Sequence, residues 1–195
     1  MPRYEITRDD LMNLADYANI RKQKRHELSI IKKNRRVEIG PVATAYFESY
    51  DTMWWQVQEM LYIEKGGEDQ IADELAAYNP LIPKGRELVA TVMFEIDDEI
   101  RRRNFLNRLG GVEETMFFEF SGETVTGVPE EDLDRTSSDG KASSVQFIHF
   151  PFSDDQVKAF RNGDNQIMIG FRHLEYPHMC VLQDAVREAL AADFA

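Results

Sequence analysis

Residues 88–96 constrain the fold more than any other stretch. Leu88, Ala90, Val92, Phe94 and Ile96 alternate with Val89, Thr91, Met93 and Glu95, so the period is two and both sets are largely apolar. Alternate side chains project to opposite faces of a sheet, and such a strand therefore needs cover on both. It is predicted to be a central strand. The rest of the chain must supply its neighbours and its cover.

Upstream, Thr7 and Asp10 have the spacing of a capping box, which predicts a helix from near Arg8. Leu11, Leu14, Tyr17, Ile20, Leu28 and Ile31 form a helical stripe broken around Lys24, so two helices or one bent helix precede Val37. Residues 37–39 and 43–48 read as a hairpin around Gly40 and Pro41. Asp51 is placed to cap a helix over 52–65, with Met53, Trp54, Val57, Met60 and Leu61 on one face; Gly66 and Gly67 end it. A second short helix carries Ile71, Ala72, Leu75 and Tyr78 and closes at Asn79 and Pro80.

Downstream of the central strand the pattern gives a charged helix over 98–109 and a hairpin of 115–120 with 123–128 around Ser121 and Gly122. Residues 129–142, acidic and Ser-rich, read as an exposed loop. A strand over 144–150, a helix from Ser153 to Phe160 and a strand over 166–173 follow, an order that permits a parallel crossover. A final amphipathic helix carries Val181, Leu182, Ala185, Val186, Ala189 and Leu190. The predicted class is α+β, with a mixed or mainly antiparallel sheet, an α-helical N-terminal region and flanking helices. Residues 1–195 are expected to form a single domain, comprising a helical basic region over 1–36 and an α+β core over 37–195.

Composition fits that expectation: 43% of the 195 residues are apolar or aromatic and 30% charged, which disfavours disorder. A single cysteine, Cys180, cannot form an intramolecular disulfide, and beside Met179 in the final helix it reads as a small core residue. No stretch approaches the roughly 18–20 consecutive apolar residues that cross a bilayer. Residues 1–10 are charged rather than signal-like, and the expected setting is cytoplasmic, away from membranes. The net charge of −12 conceals an asymmetry. Residues 21–36 carry eight lysines and arginines against Glu27, a local charge of +7 that leaves −19 for the remainder. So negative a chain is repelled by polyanions, and no aromatic-interleaved strand or helix-turn-helix accompanies the cations; nucleic-acid binding is therefore disfavoured. A docking surface for an acidic protein partner, or pairing with the acidic remainder of the chain, suits the window better.

No motif with a recognised catalytic spacing is present. Two candidate sites rest on placement alone. His149 and His173 end strands whose other positions on the same face are apolar; a parallel crossover would bring both imidazoles to one end of one sheet. His178 and Glu95 could then complete a nitrogen and oxygen shell suited to zinc, iron or manganese. The same placement suits histidines that end strands half exposed and bonded to backbone carbonyls, the commoner case for residues without a local ligand signature. Acid–base work by His173 with Tyr176 rests on proximity alone. The second candidate is Trp55, Glu59 and Tyr62, which share a helix face opposite the apolar stripe, where aromatic rings flanking a carboxylate could receive a small molecule. A face packed on another element, or on a second copy in a homo-oligomer, would look the same and is commoner.

Several strings carry a family resemblance: Ile6-Thr7-Arg8-Asp9-Asp10-Leu11, Arg36-Val37-Glu38-Ile39-Gly40-Pro41, Gln56-Val57-Gln58-Glu59-Met60-Leu61 and Tyr78-Asn79-Pro80-Leu81-Ile82-Pro83. With residues 145–150, 170–178 and 189–194, they span nearly the whole chain, which resembles a bacterial domain-of-unknown-function family. Members are often encoded beside a rubrerythrin-like protein and a cysteine-rich iron–sulfur protein, so the resemblance implies a cytoplasmic redox or oxidative-stress setting. The sequence itself has neither a multi-cysteine cluster set nor the paired Glu-x-x-His motifs of ferritin-like di-iron helices, and no iron–sulfur cluster is expected in it. These readings lead to a non-catalytic accessory or binding protein that works with a redox partner. A metal-binding protein or metal-dependent enzyme is the alternative, and a small-molecule binder a third.

Overall fold

The computed structural model describes residues 3–130, 136–137 and 140–195, which form six α-helices and nine strands in an α+β arrangement. The first sheet contains β1 (Arg36–Ile39), β2 (Ala43–Phe47), β3 (Glu87–Phe94), β6 (Val128–Pro129) and β7 (Val145–Pro151), in the order β1-β2-β3-β7-β6. The second contains β4 (Met116–Phe120), β5 (Glu123–Thr126), β8 (Met168–Phe171) and β9 (Met179–Val181), in the order β5-β4-β8-β9. Every neighbouring pair in both sheets is antiparallel. The expected parallel crossover does not form. α5 (Asp154–Arg161) instead carries the chain from β7 in one sheet to β8 in the other.

The doubly apolar strand β3 sits at the centre of the first sheet, as its pattern predicts. Leu88, Ala90, Val92 and Phe94 face the second sheet, in a core shared with Phe118, Ile169 and Phe171 and closed by α4 (Glu99–Leu106), α5 and α6 (Asp184–Ala191). Val89 faces the other way, into a second core with Met53, Val57 and Leu61 of α2 (Tyr50–Glu64) and with Leu81 and Ile82. α3 (Glu68–Tyr78) packs beside α2, and α1 (Leu14–Lys33) lies across α2 on its outer side.

Capping details differ from the sequence reading. Thr7 donates both its backbone N–H and its hydroxyl to the Asp10 carboxylate, but this closes only a 3-10 turn over Arg8–Asp10, and Leu11 then returns to extended backbone. Asn13, whose side chain accepts from the Asp16 N–H, starts α1, which continues through Lys24 without a break. Ser49 rather than Asp51 caps α2, accepting from the Thr52 N–H while the Thr52 hydroxyl accepts from the Ser49 N–H. Residues 179–181, read from sequence as the start of a helix, are the edge strand β9, and the last helix begins only at Asp184. Of the loop expected over 129–142, residues 131–135 and 138–139 lie outside the described residues; Thr136 bridges to Ala142.

One tyrosine fastens the two sheets at an end. The Tyr176 hydroxyl donates to the Ile39 carbonyl at 2.7 Å and accepts from the Ala43 N–H at 3.1 Å, gripping the β1–β2 turn. Gly40, at φ +72°, lies so close beneath that a Cβ there would fall 2.6 Å from the His178 ring, so the turn requires glycine for its conformation and for its clearance. At the other sharp turn Ser121 and Gly122 both take positive φ, 53° and 79°, the backbone that a two-residue hairpin loop demands.

Candidate functional site

Among the described residues, the four side chains of the histidine and carboxylate candidate do not gather into one site. His149 lies on the helix-facing side of β7, where Nδ1 is 3.1 Å from Oε2 of Glu87 on β3. His173 follows β8 in the other sheet: Nε2–H donates to the Gly110 carbonyl at 3.2 Å and Nδ1 accepts from the Glu175 N–H at 3.2 Å, so both nitrogens are engaged by backbone. His178 stacks edge-on against Tyr176, 4.4 Å between centroids, beside Gly40. Glu95 accepts from the Thr44 hydroxyl at 2.6 Å and the Tyr46 hydroxyl at 3.0 Å. The expected convergence fails because β7 and β8 belong to different sheets. Among the described residues, no group of three or more His, Cys, Asp and Glu side chains is placed to hold a metal ion. Nor can His173 and Tyr176 share a proton, since the phenol is turned to the β1–β2 turn.

The Trp55, Glu59 and Tyr62 face is covered by α1 rather than open to a ligand. Arg21 grips Glu59 with two parallel bonds of 2.7 and 2.8 Å, and the buried Tyr17 hydroxyl donates to the same carboxylate at 2.6 Å. The Arg21 guanidinium lies 4.9 Å over the Tyr62 ring, and the Lys32 ammonium 5.7 Å over Trp55. This is a polar weld between two helices. The Arg21 bonds hold the Glu59 carboxyl below the usual range, while burial, then Glu59, pushes the Tyr17 phenol up.

A pH dependence follows. Because the folded chain holds Glu59 below its unfolded value, the unfolded chain binds the proton more readily. The stabilisation is therefore complete above about pH 4.3 and is lost as pH falls through the lower, folded value. In urea unfolding from neutral pH into the acid range, the wild-type midpoint is expected to fall more steeply than that of Glu59→Gln. Parallel curves would detach Glu59 from acid stability.

The polar residues missed by sequence reasoning lie on the outer face of the first sheet, where Thr44, Tyr46 and Glu48 alternate with the inward Ala43, Ala45 and Phe47. Between that face and the α2–α3 pair is a cavity of about 320 Å³ bordered by Lys32, Tyr46, Glu48, Met93, Tyr78 and Phe147. Glu48 is only 6% exposed; its two carboxylate oxygens accept from the hydroxyls of Thr52, at 2.6 Å, and Thr91, at 2.7 Å. A second, wider hollow of about 560 Å³ lies at the α1 terminus and β9, beside Lys33, Arg36 and Cys180. Cys180 is half-buried in β9, and burial pushes its thiol up, away from the thiolate that reactivity needs.

The basic window forms most of α1 and divides in two. Arg21 pairs with Glu59, Lys24 with Glu27, Arg35 with Asp193 and Arg36 with Glu38. Lys22, Arg25 and Lys33 are exposed and, among the described residues, form no ion pair; Ile30, one turn before Lys33, is 61% exposed. At helical spacing Lys22, Ile30 and Lys33 lie along one outward side of α1, with Arg25 at its edge on the side of Glu59.

Among the described residues, no helix is long and apolar enough to cross a membrane. No functionally curated protein matches the chain. A crystal structure of a novel protein of unknown function from Burkholderia pseudomallei K96243 is similar throughout, with a TM-score of 0.90 and 37% identity over 97% of this chain and 99% of that one. Residues 5–194 match the family described as "Protein of unknown function (DUF3501)", and by that match across nearly its entire length the chain belongs to the DUF3501 family.

Proposed function

We propose that this chain is a non-catalytic accessory protein of a cytoplasmic bacterial redox or oxidative-stress system. It docks through the outward side of α1 on an acidic face of the redox protein that the family resemblance implies, of the rubrerythrin-like or cysteine-rich iron–sulfur kind. The observation that carries this reading is the stripe of exposed cations Lys22, Arg25 and Lys33, with the exposed Ile30 beside Lys33. Elsewhere the chain is strongly negative and would repel an acidic protein, so the stripe selects both the partner's charge and the orientation of encounter. An exposed apolar residue next to these cations also suits a small protein interface.

The test uses purified rubrerythrin-like and iron–sulfur proteins encoded beside family members. Association should weaken with salt and fall by about tenfold or more in the triple variant Lys22→Glu, Arg25→Glu, Lys33→Glu. Lys158→Glu, on the exposed side of α5, should leave it unchanged. Failure of both proteins to bind at low salt, or binding indifferent to the triple variant, would remove the proposal.

A further inference from the structure

The cavity over Glu48 has features that the docking reading does not use. Glu48 ends the outward row Thr44, Tyr46, Glu48 and is followed at once by the Ser49 cap of α2, so its carboxylate is trapped where strand turns into helix. Each oxygen accepts one hydroxyl hydrogen, from Thr52 or Thr91, which fixes the orientation of the group. A carboxylate offers about four acceptor positions, so about two are left over. Among the described residues, no lysine, arginine or histidine pairs with it. The nearby Arg35 guanidinium bonds the Glu48 backbone carbonyl instead, at 2.7 Å, and is neutralised by Asp193. A buried carboxylate without a counter-charge is costly, and the missing partner is a cation with N–H donors to spare.

The walls describe the rest of that partner. Rings of Tyr46, Tyr78 and Phe147, with Met53 and Met93, line the space, which suits an apolar body carrying a positive group near aromatic faces. Lys32 also borders the space, its ammonium over the Trp55 ring and outside ion-pair range of any carboxylate among the described residues. A simple amine would meet the repulsion of Lys32, and a simple acid that of Glu48. A molecule with both charges satisfies both residues. We infer that the cavity between Glu48 and Lys32 binds a small zwitterion, with an ammonium group directed to Glu48, a carboxylate to Lys32 and an apolar side chain between the aromatic rings: the chemistry of an apolar amino acid. At about 320 Å³ the cavity is at the small end for ligand sites, a size that suits an amino acid.

Calorimetric titration of the full chain tests this with L-leucine, L-methionine and L-phenylalanine, each beside the amine and the acid that lack one of its two charged groups. At least one amino acid should bind saturably and at least about tenfold tighter than its matched amine and acid. Glu48→Gln, which keeps the shape and replaces the charge by an amide, should weaken that binding by about tenfold or more. Met93→Trp, which fills the cavity and leaves Glu48 in place, should abolish it; thermal unfolding of each variant checks that the chain is still folded. No saturable heat with any amino acid up to about 10 mM, amines binding as tightly as amino acids, or binding unaffected in a folded variant of either kind would overturn the inference.

Discussion

Arg35→Ala is expected to destabilise the chain by about 3–5 kcal/mol, the usual loss when one partner of a buried ion pair is removed, and to lower Tm by about 6–20 °C for a protein of this length. Arg35 is 6% exposed at the junction of α1 and β1. Its Nε donates to the Phe47 carbonyl at 3.0 Å, Nη2 to the Glu48 carbonyl at 2.7 Å, and both terminal nitrogens to Asp193 just beyond α6. One guanidinium therefore joins the end of β2 to the C-terminal turn, and alanine would take a donor from the carbonyls of Phe47, Glu48 and Ala189 and from a carboxylate. The sign of the pH effect is determined by Asp193, whose carboxyl is already pushed up by burial against the pull of Arg35. Without that pull it rises further, so the folded variant holds a proton that the unfolded chain releases above about pH 3.9. The variant's deficit should thus be largest near neutral pH and shrink as pH falls. Chemical unfolding at neutral and mildly acidic pH reads both effects. Arg35→Lys keeps the charge without the planar fork of donors and should recover only part of the loss.

Local patterns made much of the fold legible and left its pairing hidden. The two apolar sets of 88–96 placed β3 at the centre of a sheet because a double-sided pattern has no other home, and Ser121-Gly122 marked the β4–β5 hairpin through a backbone few other pairs adopt. The order of β7, α5 and β8 was equally visible, but whether a strand after a helix rejoins its own sheet or starts another is decided by distant partners, here β4 and β9 rather than β3. The metal candidate depended on that choice. Residues 179–181 mislead for a related reason: Val181, Leu182, Ala185 and Val186 fit a helical period, and three residues are too few to show the alternation of an edge strand. In the N-terminal region the Thr7–Asp10 pair and Asn13 offer two caps within seven residues, and sequence alone could not show that the first closes only one turn. Glu59 stands out in the sequence while its partners do not, because Arg21 and Tyr17 belong to a helix whose packing on α2 is tertiary. Glu48 does not stand out in the sequence, since only the arrival of α2 and α3 over that face buries it.

The second large effect is expected at Phe118. It is fully buried at the middle of β4, with ring centroids 4.8 Å from Phe150, 5.9 Å from Phe47 and Phe160 and 6.0 Å from Phe152, so it touches both sheets and α5. Phe118→Ala removes the ring around which these four are arranged. The lost burial and the cavity left behind should together cost about 3–5 kcal/mol, and Phe118→Leu, which refills most of the space, should restore more than half of it. Equilibrium denaturation of the two variants is the check, and near-equal midpoints would show that the sheets close over the gap. Phe47 links this prediction to the first, because its ring packs on Phe118 while its carbonyl is held by Arg35. Loosening either attachment lets the end of β2 move toward water, where its freed carbonyls find new partners, so the second loss is smaller than it would be alone. The double variant Arg35→Ala, Phe118→Ala should therefore fall short of the sum of the single effects by about 0.5 kcal/mol or more, whereas strict additivity would mean that the clamp at the end of β2 and the aromatic core between the sheets act independently.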